Sequence, residues 1–391
     1  MKLVFYSIIL NNHQANLADE FWGLLGNDYR FVELVEPNEG NAKGGTDDYA
    51  SRPYLIKAWK SEEEWQEAMR LACSADCCVF SGLQALPFQK ERMKRGLLSF
   101  DMSERWLKRG WVNLFSPVIF RMWLSYKMGG WRRKPLYKLC CSAFAADDQY
   151  KLGTFNNRCY KWGYFTKVDK FDVEASSDVS TSNITPLTWC SRYLMWKHPE
   201  LPIMMAHTLK MRGYHFVLDM FGSGEYEEQA KQIAGNLGVE DVVKFRGTMP
   251  NEQLMREMKE HDIFLFTSDR NEGWGAVANE SMANGCVLVA SDAIGSVPYL
   301  VKDGVNGLMF KSASTKTSFG NPDQKALDAL TEKVAWLLDN KDRMKEMQRK
   351  AVRTMQEVWS PKCAAQNLLQ LIDDLQNGRG TSIKDGPCSK A

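Results

Sequence analysis

The sequence predicts an α/β protein with two doubly wound, Rossmann-like domains, each a parallel sheet covered by helices on both faces. Apolar, strand-like runs alternate with helix-like runs along almost the whole chain, which is the pattern of crossover units. The chain has 391 residues, enough for two or three domains at roughly 150 residues each. Hydrophobic residues make up 44% and charged residues 25%, which excludes a mostly disordered chain and a coiled coil.

The first half contains five candidate strands and three candidate helices. Its first strand, within Leu3–Leu10, is apolar and rich in β-branched and aromatic residues. It resembles the core of a signal peptide, but it is short and lacks a small-residue cleavage site, so a buried strand is the better interpretation. Strands are expected at 2–10, 29–35, 76–80, 112–115 and 136–143, and helices at 16–26, 60–73 and 90–98.

The second half repeats this alternation more regularly. Strands are expected at 186–192, 214–220, 242–246, 262–267, 286–290 and 307–310. Helices are expected at 198–212, 226–237, 251–259, 275–284, 324–339 and 342–356. Ser360 followed by Pro361 is a helix start signal and predicts a last amphipathic helix at 359–375.

The polar, serine-rich stretch at 167–182 marks the boundary between the two halves. The first domain is therefore expected at 1–172 and the second at 173–358. The polar tail at 377–391 is expected to be disordered.

Charge and cysteine content narrow the class of protein. The formal net charge is +2, and no apolar run is long enough for a transmembrane helix. The ten cysteines form no C-x-x-C pair and no zinc-ligand spacing, so we expect reduced thiols in a cytoplasmic protein and no metal site.

A basic, aromatic segment at 90–138 departs from this neutrality, with 13 Lys/Arg against three acids. Two interpretations stay open: a solvated face around a core helix, or a surface that binds anionic lipid headgroups or a phosphate-bearing acceptor. Nucleic acid is disfavoured because no nucleic-acid fold signature accompanies the charge.

A glycine-containing loop between strand 262–267 and the following helix is the best candidate ligand site. Ligands of parallel sheets bind outside the carboxyl ends of the strands, and a helix N-terminus suits a phosphate. Gly273 and Gly275 allow close approach of backbone, and Glu272 and Glu280 stand eight positions apart. A carboxylate beside a diphosphate would be repelled, so each Glu is expected to face hydroxyls. The alternative is that Glu272 is only stabilised by the helix dipole and that Glu280 is an exposed helix residue.

Two further loops supply complementary groups. Arg192 and Lys197 follow a strand and can converge on one diphosphate, although two ordinary surface cations are the alternative. Gly222 and Gly224 follow the next strand, where a tight turn would let a nucleotide approach, although the dinucleotide fingerprint is incomplete because Glu227 stands at its third glycine.

Taken together, these motifs resemble the retaining family-four glycosyltransferases of GT-B fold. The resemblance is strong over 185–310, looser to the last helix, and in the first half the runs at 136–143 and 159–165 are similar to the bacterial polysaccharide-building branch. The motifs are Arg192-x4-Lys197, Gly222-Ser-Gly224, Phe245-Arg-Gly247, Glu272-x7-Glu280 and the run from Gly295 to Gly307.

This resemblance implies two domains facing across a cleft, with the donor in the second, the acceptor in the first and the last helix crossing back onto the first. Arg192 and Lys197 would bind the donor diphosphate, Glu280 the ribose hydroxyls and Glu272 the transferred sugar. The backbone of Gly273, Trp274 and Gly275 would lie beside the donor, as would Gly222 and Gly224. The family needs no metal or cofactor; a nucleotide-diphosphate sugar is the co-substrate, and a glycan or lipid-linked glycan on the inner face of a membrane would be the acceptor.

The chain departs from the family pattern at two positions. Asn11-Asn12-His13-Gln14 replaces a glycine pair in the first strand–helix loop, and His198 replaces a glycine after Lys197. His13 is expected either to hydrogen-bond the leaving phosphate or a sugar hydroxyl, or only to cap the loop; the cluster at 103–105 is a weaker candidate. Two other functions stay open, a nucleotide-sugar epimerase on the same scaffold and a silent nucleotide-binding scaffold.

Overall fold

The computed structural model describes residues 1–37, 49, 51–108, 110–168, 183–313 and 318–391. The chain divides into two compact units, one made of Met1–Lys167 and Val358–Ala391 and the other of Val168–Glu357. Most of the boundary expected at 167–182 lies outside the described residues. The return of the last helix to the first unit agrees with what the resemblance implied.

The first unit is built on a seven-stranded parallel sheet in the order β3-β2-β1-β4-β5-β6-β7. The strand order reverses beside β1, which is the doubly wound arrangement. Strands β1 and β4 are almost wholly buried, as a sheet covered on both faces requires. The strands are β1 (Leu3–Ser7), β2 (Tyr29–Glu33), β3 (Leu55–Lys57), β4 (Cys77–Ser81), β5 (Ser99–Ser103), β6 (Leu136–Cys140) and β7 (Cys159–Lys161).

Among the residues that the structure describes, five α-helices of the first half and the last helix of the chain belong to this unit. The side chain of Asn11 caps the first of them by accepting from His13 N–H. The helices are α1 (Asn12–Leu25), α2 (Glu62–Ser74), α3 (Leu86–Arg95), α4 (Pro117–Lys127) and α5 (Ala145–Lys151).

The sequence prediction was least accurate in this unit. The strand expected at 112–115 is wrong, because Gly110–Phe115 forms a 3₁₀ helix. Strands β3, β5 and β7 were not predicted, and two of them have only three residues. Strand β5 carries Asp101, whose charge is paired with Lys138 on the neighbouring β6, and no periodicity within β5 reports that partner.

The second unit holds a six-stranded parallel sheet in the order β10-β9-β8-β11-β12-β13. All six expected strands are confirmed within a few residues. They are β8 (Thr185–Cys190), β9 (Phe216–Phe221), β10 (Val243–Gly247), β11 (Ile263–Phe266), β12 (Val287–Ser291) and β13 (Gly307–Phe310).

The helices that cover this sheet also match the expectations, with one short helix added. Together with the strands they enclose a core that includes Leu187, Leu265 and Val289. The helices are α6 (Glu200–Met211), α7 (Glu227–Asn236), α8 (Asn251–Lys259), α9 (Val277–Ala283), α10 (Val297–Leu300), α11 (Gln324–Asp339) and α12 (Lys341–Glu357). The last helix is α13 (Pro361–Gln376), which packs against α1 of the first unit.

The expectation of a disordered tail at 377–391 is wrong. Lys390 pairs with Tyr160 of β7 in an antiparallel bridge, and Cys388 is fully buried. Composition alone misses this order, because the tail is stabilised by a strand edge that lies more than 200 residues away in sequence.

Candidate functional site

Three loops of the second unit meet at the carboxyl edge of its sheet. They follow β9, β8 and β11, which are neighbours in the strand order. The first loop carries Gly222 and Gly224, the second Arg192 and Lys197, and the third Glu272. Parallel strands end at the same edge, so the sheet brings together the three motifs that the sequence had singled out.

The glycine turn after β9 lies directly against the loop after β8. A Cβ atom on Gly222 would stand 1.9 Å from the Ser191 carbonyl oxygen, and one on Gly224 would stand 2.6 Å from that of Tyr193. Both glycines have positive φ, 127° and 156°. Only glycine fits here, so the turn presents bare backbone at the edge where a ligand would bind.

Lys197 and Glu272 form an ion pair between the second and third loops. Their side chains are about one-tenth exposed, 10% and 11%. Ser268 Oγ donates to the same Glu272 oxygen at 3.1 Å, and Thr267 Oγ1 donates to the Lys197 carbonyl at 2.7 Å. The ammonium also lies 4.3 Å from the centre of the Trp196 ring. Sequence reasoning placed both residues at the site but did not foresee that they pair with each other.

Arg192 contrasts with Lys197 because its guanidinium is exposed. Within the described part of the chain, the guanidinium makes no hydrogen bond or ion pair. The group is therefore available to an anionic ligand at the edge of the sheet.

Glu280 lies in the first turn of α9 and is partly buried. Burial raises the pKa of its carboxyl to about 7, against the opposing effect of a hydrogen bond to Asn251. Ionisation of the Glu280 carboxyl is thus unfavourable until hydroxyl groups donate hydrogen bonds to it.

The loop before α9 is shaped by Trp274 and Gly275. The indole of Trp274 is buried and donates to Asn279 Oδ1 at 2.9 Å, so the side chain packs inside the unit. A Cβ on Gly275 would stand 2.5 Å from the Phe266 ring. Within the described residues, the N–H groups of Gly273 and Gly275 have no acceptor, so both are available as backbone donors to a ligand.

A cluster around His198 was missed as a structural element of the site. His198 Nδ1 lies 2.9 Å from Glu200 Oε1, and Nε2 lies 3.8 Å from Asp269 Oδ2. Burial disfavours the imidazolium, but the nearby carboxylates of Asp269 and Glu200, the second of which is hydrogen-bonded to Nδ1, outweigh it and raise the pKa of His198 to about 9. The Asp269 N–H donates to the Trp196 carbonyl at 2.9 Å, so the cluster fixes the loop of Glu272 to the turn of Lys197. The only signal in the sequence was the departure from glycine at position 198.

His13 belongs to the first unit, where its ring stacks on Tyr164 at 5.8 Å. The capping interpretation is wrong, because Asn11 is the residue whose side chain caps α1. His13 Nδ1 is buried without a hydrogen-bond partner among the described residues, and burial lowers the pKa of the ring.

The weaker candidates at 103–105 have internal partners. Tyr164 Oη donates to Glu104 at 3.0 Å, Lys138 Nζ donates to Ser103 Oγ at 2.7 Å, and Arg105 pairs with Asp148 at 3.1 Å. These contacts give Ser103 and Arg105 a structural role and leave Glu104 beside the His13–Tyr164 stack.

The second unit is similar to known proteins. Residues 187–354 match the family model of glycosyl transferases group 1. Over 110 residues the chain is 35% identical to the amylovoran biosynthesis glycosyltransferase AmsK of Erwinia amylovora, covering 27% of each chain. Over 95 residues it is 36% identical to the D-inositol 3-phosphate glycosyltransferase of Corynebacterium aurimucosum, covering 24% of this chain and 22% of that one. The match thus spans about a quarter of the length of these curated relatives.

Solved structures resemble the chain over nearly its full length. The lipopolysaccharide outer core galactosyltransferase WaaB has a TM-score of 0.68 at 12% identity, covering 96% of this chain and 100% of that one. HepE of Anabaena, in complex with UDP, has a TM-score of 0.66 at 14% identity, with the same coverage. These likenesses show that the predicted GT-B fold is correct.

Proposed function

We propose that this chain, whose second unit carries a glycosyl transferases group 1 domain on a GT-B fold, is a retaining glycosyltransferase. It would move a sugar from a nucleotide-diphosphate sugar to a hydroxyl of a glycan or lipid-linked glycan. One observation carries the proposal: a free Arg192, a Lys197–Glu272 pair and a bare glycine turn share one edge of one sheet. The findings on relatives do not favour the epimerase or scaffold alternatives.

The donor would bind along this edge. Arg192 would hold the diphosphate by its fork, and Lys197 would share its charge between the diphosphate and Glu272. The hydroxyls of the transferred sugar would donate to Glu272, and those of the ribose to Glu280. Structures of HepE contain UDP and UDP-glucose, so uridine diphosphate sugars are the first donors to test.

Departure of the nucleoside diphosphate breaks the bond from the anomeric carbon to the phosphate oxygen and leaves negative charge on that oxygen. Arg192, Lys197 and the N–H groups of Gly273 and Gly275 would stabilise this charge, an electrostatic effect that is usually the largest in catalysis. The acceptor hydroxyl would form the new bond on the face that the phosphate leaves. Its proton would pass to the phosphate oxygen, since no dedicated base lies among the groups assigned to the donor.

The acceptor would bind to the first unit. AmsK is a biosynthetic enzyme for amylovoran and WaaB acts in the lipopolysaccharide outer core, which supports a role in cell-surface polysaccharide synthesis. His13 stays a prediction as a hydrogen-bonding group for the phosphate or a sugar hydroxyl. Metal independence and a cytoplasmic location likewise stay predictions; the described helices include none long and apolar enough to cross a membrane.

The proposal is tested with a panel of nucleotide-diphosphate sugars. A true donor raises the melting temperature of the protein, because it binds the folded state. With an acceptor extract it should release nucleoside diphosphate and give a product with the donor's anomeric configuration, read by NMR. An epimer formed without acceptor would instead indicate the alternative enzyme.

Arg192→Ala should lower turnover roughly 30- to 1,000-fold, by analogy with the loss of an oxyanion donor. Arg212→Ala is the matched control, because Arg212 is engaged with Glu332 at 2.7 Å in an ion pair on the helical layer. Unchanged turnover in Arg192→Ala would refute the assignment of the diphosphate site.

A further inference from the structure

Helix α4 of the first unit carries apolar side chains on both of its faces. The inner face packs through Ile119, Met122 and Trp123 on a buried cluster that contains Trp106 and Trp131. Trp123 also donates to the Leu152 carbonyl at 3.2 Å. The helix is therefore fixed to the unit by one side, and its other side needs a separate explanation.

The outer side and the 3₁₀ helix before it expose large hydrophobic residues. Phe115 is 87% exposed, Met128 78% and Trp111 59%, and Val112 and Phe120 are also exposed. These five account for more than a third of the 14 exposed large hydrophobic residues in the described chain, although they fall within 18 positions. Single exposed apolar residues are ordinary, but a concentration of this kind marks an interaction surface.

The same segment is strongly basic. Between Arg105 and Lys134 the sequence has eight Lys/Arg and no Asp or Glu. Arg121, Arg132 and Arg133 are exposed, and their side chains form no ion pair among the described residues. Any partner that covers the apolar residues must therefore be negatively charged at its rim.

We propose that this docking surface, formed by the five exposed apolar residues with Arg121, Arg132 and Arg133, binds an anionic lipid membrane. The apolar side chains would insert at the boundary between headgroups and acyl chains, and the arginines would contact the phosphates. A second copy of the chain fits poorly, because the same positive surface would face itself. The proposal goes beyond sugar transfer and does not depend on it, since it concerns binding without donor or acceptor.

Vesicle flotation of the full chain tests the proposal. Vesicles of phosphatidylcholine alone should bind little, and vesicles that also contain phosphatidylglycerol should bind the protein at low salt and release much of it at high salt. No binding to the anionic vesicles at low salt would overturn the proposal.

Two variants separate the apolar and charged contributions. Trp111→Ser with Phe115→Ser should weaken binding at least tenfold, whereas Met211→Ser, at an exposed residue of the second unit, should not. Arg132→Gln with Arg133→Gln should weaken binding about 30-fold, at roughly 1 kcal/mol per charge near the surface. Lys311→Gln with Lys325→Gln, both exposed in the second unit, is the control for charge.

The variants are expected to melt like the parent, because their side chains are exposed. Equal binding by the Trp111/Phe115 variant and its control would overturn the proposal. So would a dimer that forms without lipid and is dissolved by the same variant, which would assign the surface to a second copy of the chain.

Discussion

Lys197 and Glu272 act on each other before any ligand arrives. The carboxylate neutralises much of the ammonium in the free protein, so an incoming diphosphate competes with Glu272 for Lys197. The competition affects ligand binding and sugar transfer in opposite directions.

Glu272→Gln should therefore bind nucleoside diphosphate more tightly than the parent, because Lys197 is released. The same variant should transfer sugar more slowly, since the amide accepts sugar hydroxyls less well than a carboxylate. Calorimetric Kd values and kcat measure the two effects. Ser268→Ala, which removes the other bond to that oxygen without changing charge, should leave the Kd for the diphosphate nearly unchanged. Weaker diphosphate binding by Glu272→Gln would contradict the competition.

The raised pKa of the Glu280 carboxyl leads us to expect that donor binding depends on pH. Burial holds its pKa near 7 in the free protein, and ribose hydroxyls donate best to the ionised form. Donor affinity should thus rise with pH up to about 7, by up to tenfold per pH unit below the pKa, and then level off. Donor affinity should be measured between about pH 5.5 and about pH 8.5, a range that spans this pKa. The slope should be present in the parent and absent in Glu280→Gln. Arg192→Ala should bind weakly at every pH and keep the slope; a slope that survives in Glu280→Gln would exclude this carboxyl.

The raised pKa of His198 leads us to expect that the stability of the protein falls at high pH. Its pKa is raised to about 9 in the folded protein, so the stabilisation is complete below the usual value of about 6.5 and is lost as pH rises through about 9. The loss should reach roughly 2–3 kcal/mol in the free energy of unfolding. Asparagine tolerates the positive φ of 50° at this position, so His198→Asn should fold but lack this decline in urea unfolding. His207→Asn, whose ring faces the Leu237 carbonyl and not carboxylates, should keep the decline. An equal decline in both variants would place its origin elsewhere.

Strands and turns differ in how far the sequence specifies them. All six strands of the second unit were predicted, because each contains apolar, strand-forming residues and is followed by polar or glycine residues. Strand β5 was missed because its Asp101 is acceptable only beside Lys138 of β6. The candidate site shows the same difference. Each loop motif could be recognised in the sequence, but the pairing of Lys197 with Glu272 was not predicted, because the two residues are 75 positions apart. Local patterns predict elements, whereas side-chain partners depend on how the elements are brought together.

The glycine turn after β9 gives a prediction about packing of elements. Gly222→Ala should lower the free energy of unfolding by roughly 2–4 kcal/mol, since its Cβ would lie 1.9 Å from the Ser191 carbonyl. Gly213→Ala is the matched control, because Gly213 also has a positive φ of 83° but nothing within 4 Å of the added atom. It should cost only about 1 kcal/mol, the price of the dihedral. Equal losses in urea unfolding would mean that the close approach of the two loops contributes nothing.

The tail at 377–391 pairs in an antiparallel manner with β7, at the edge of the parallel sheet of the first unit. Three backbone hydrogen bonds join the tail to β7. The Lys161 N–H donates to the Ser389 carbonyl at 2.8 Å and the Cys388 N–H to the Lys161 carbonyl at 2.7 Å. The Ala391 N–H donates to the Cys159 carbonyl at 3.2 Å. Asn367 of α13 holds the tail by donating to the Pro387 carbonyl at 2.9 Å. Since β7 is the last strand of its sheet, the tail covers an edge that would otherwise be open to other chains.

Removing residues 377–391 should therefore destabilise the first unit and expose the edge of β7. At roughly 1 kcal/mol for each lost hydrogen bond, together with the burial of Cys388, the loss should be roughly 3–5 kcal/mol. Urea unfolding measures it, and light scattering should show aggregation that the full chain lacks. Lys390→Ala is the control, because it removes the side chain but keeps the backbone pairing. The second unit holds the candidate donor site, so the melting shift produced by a nucleoside diphosphate should persist after truncation. A truncated chain as stable and as monomeric as the parent would show that the edge is protected by other means.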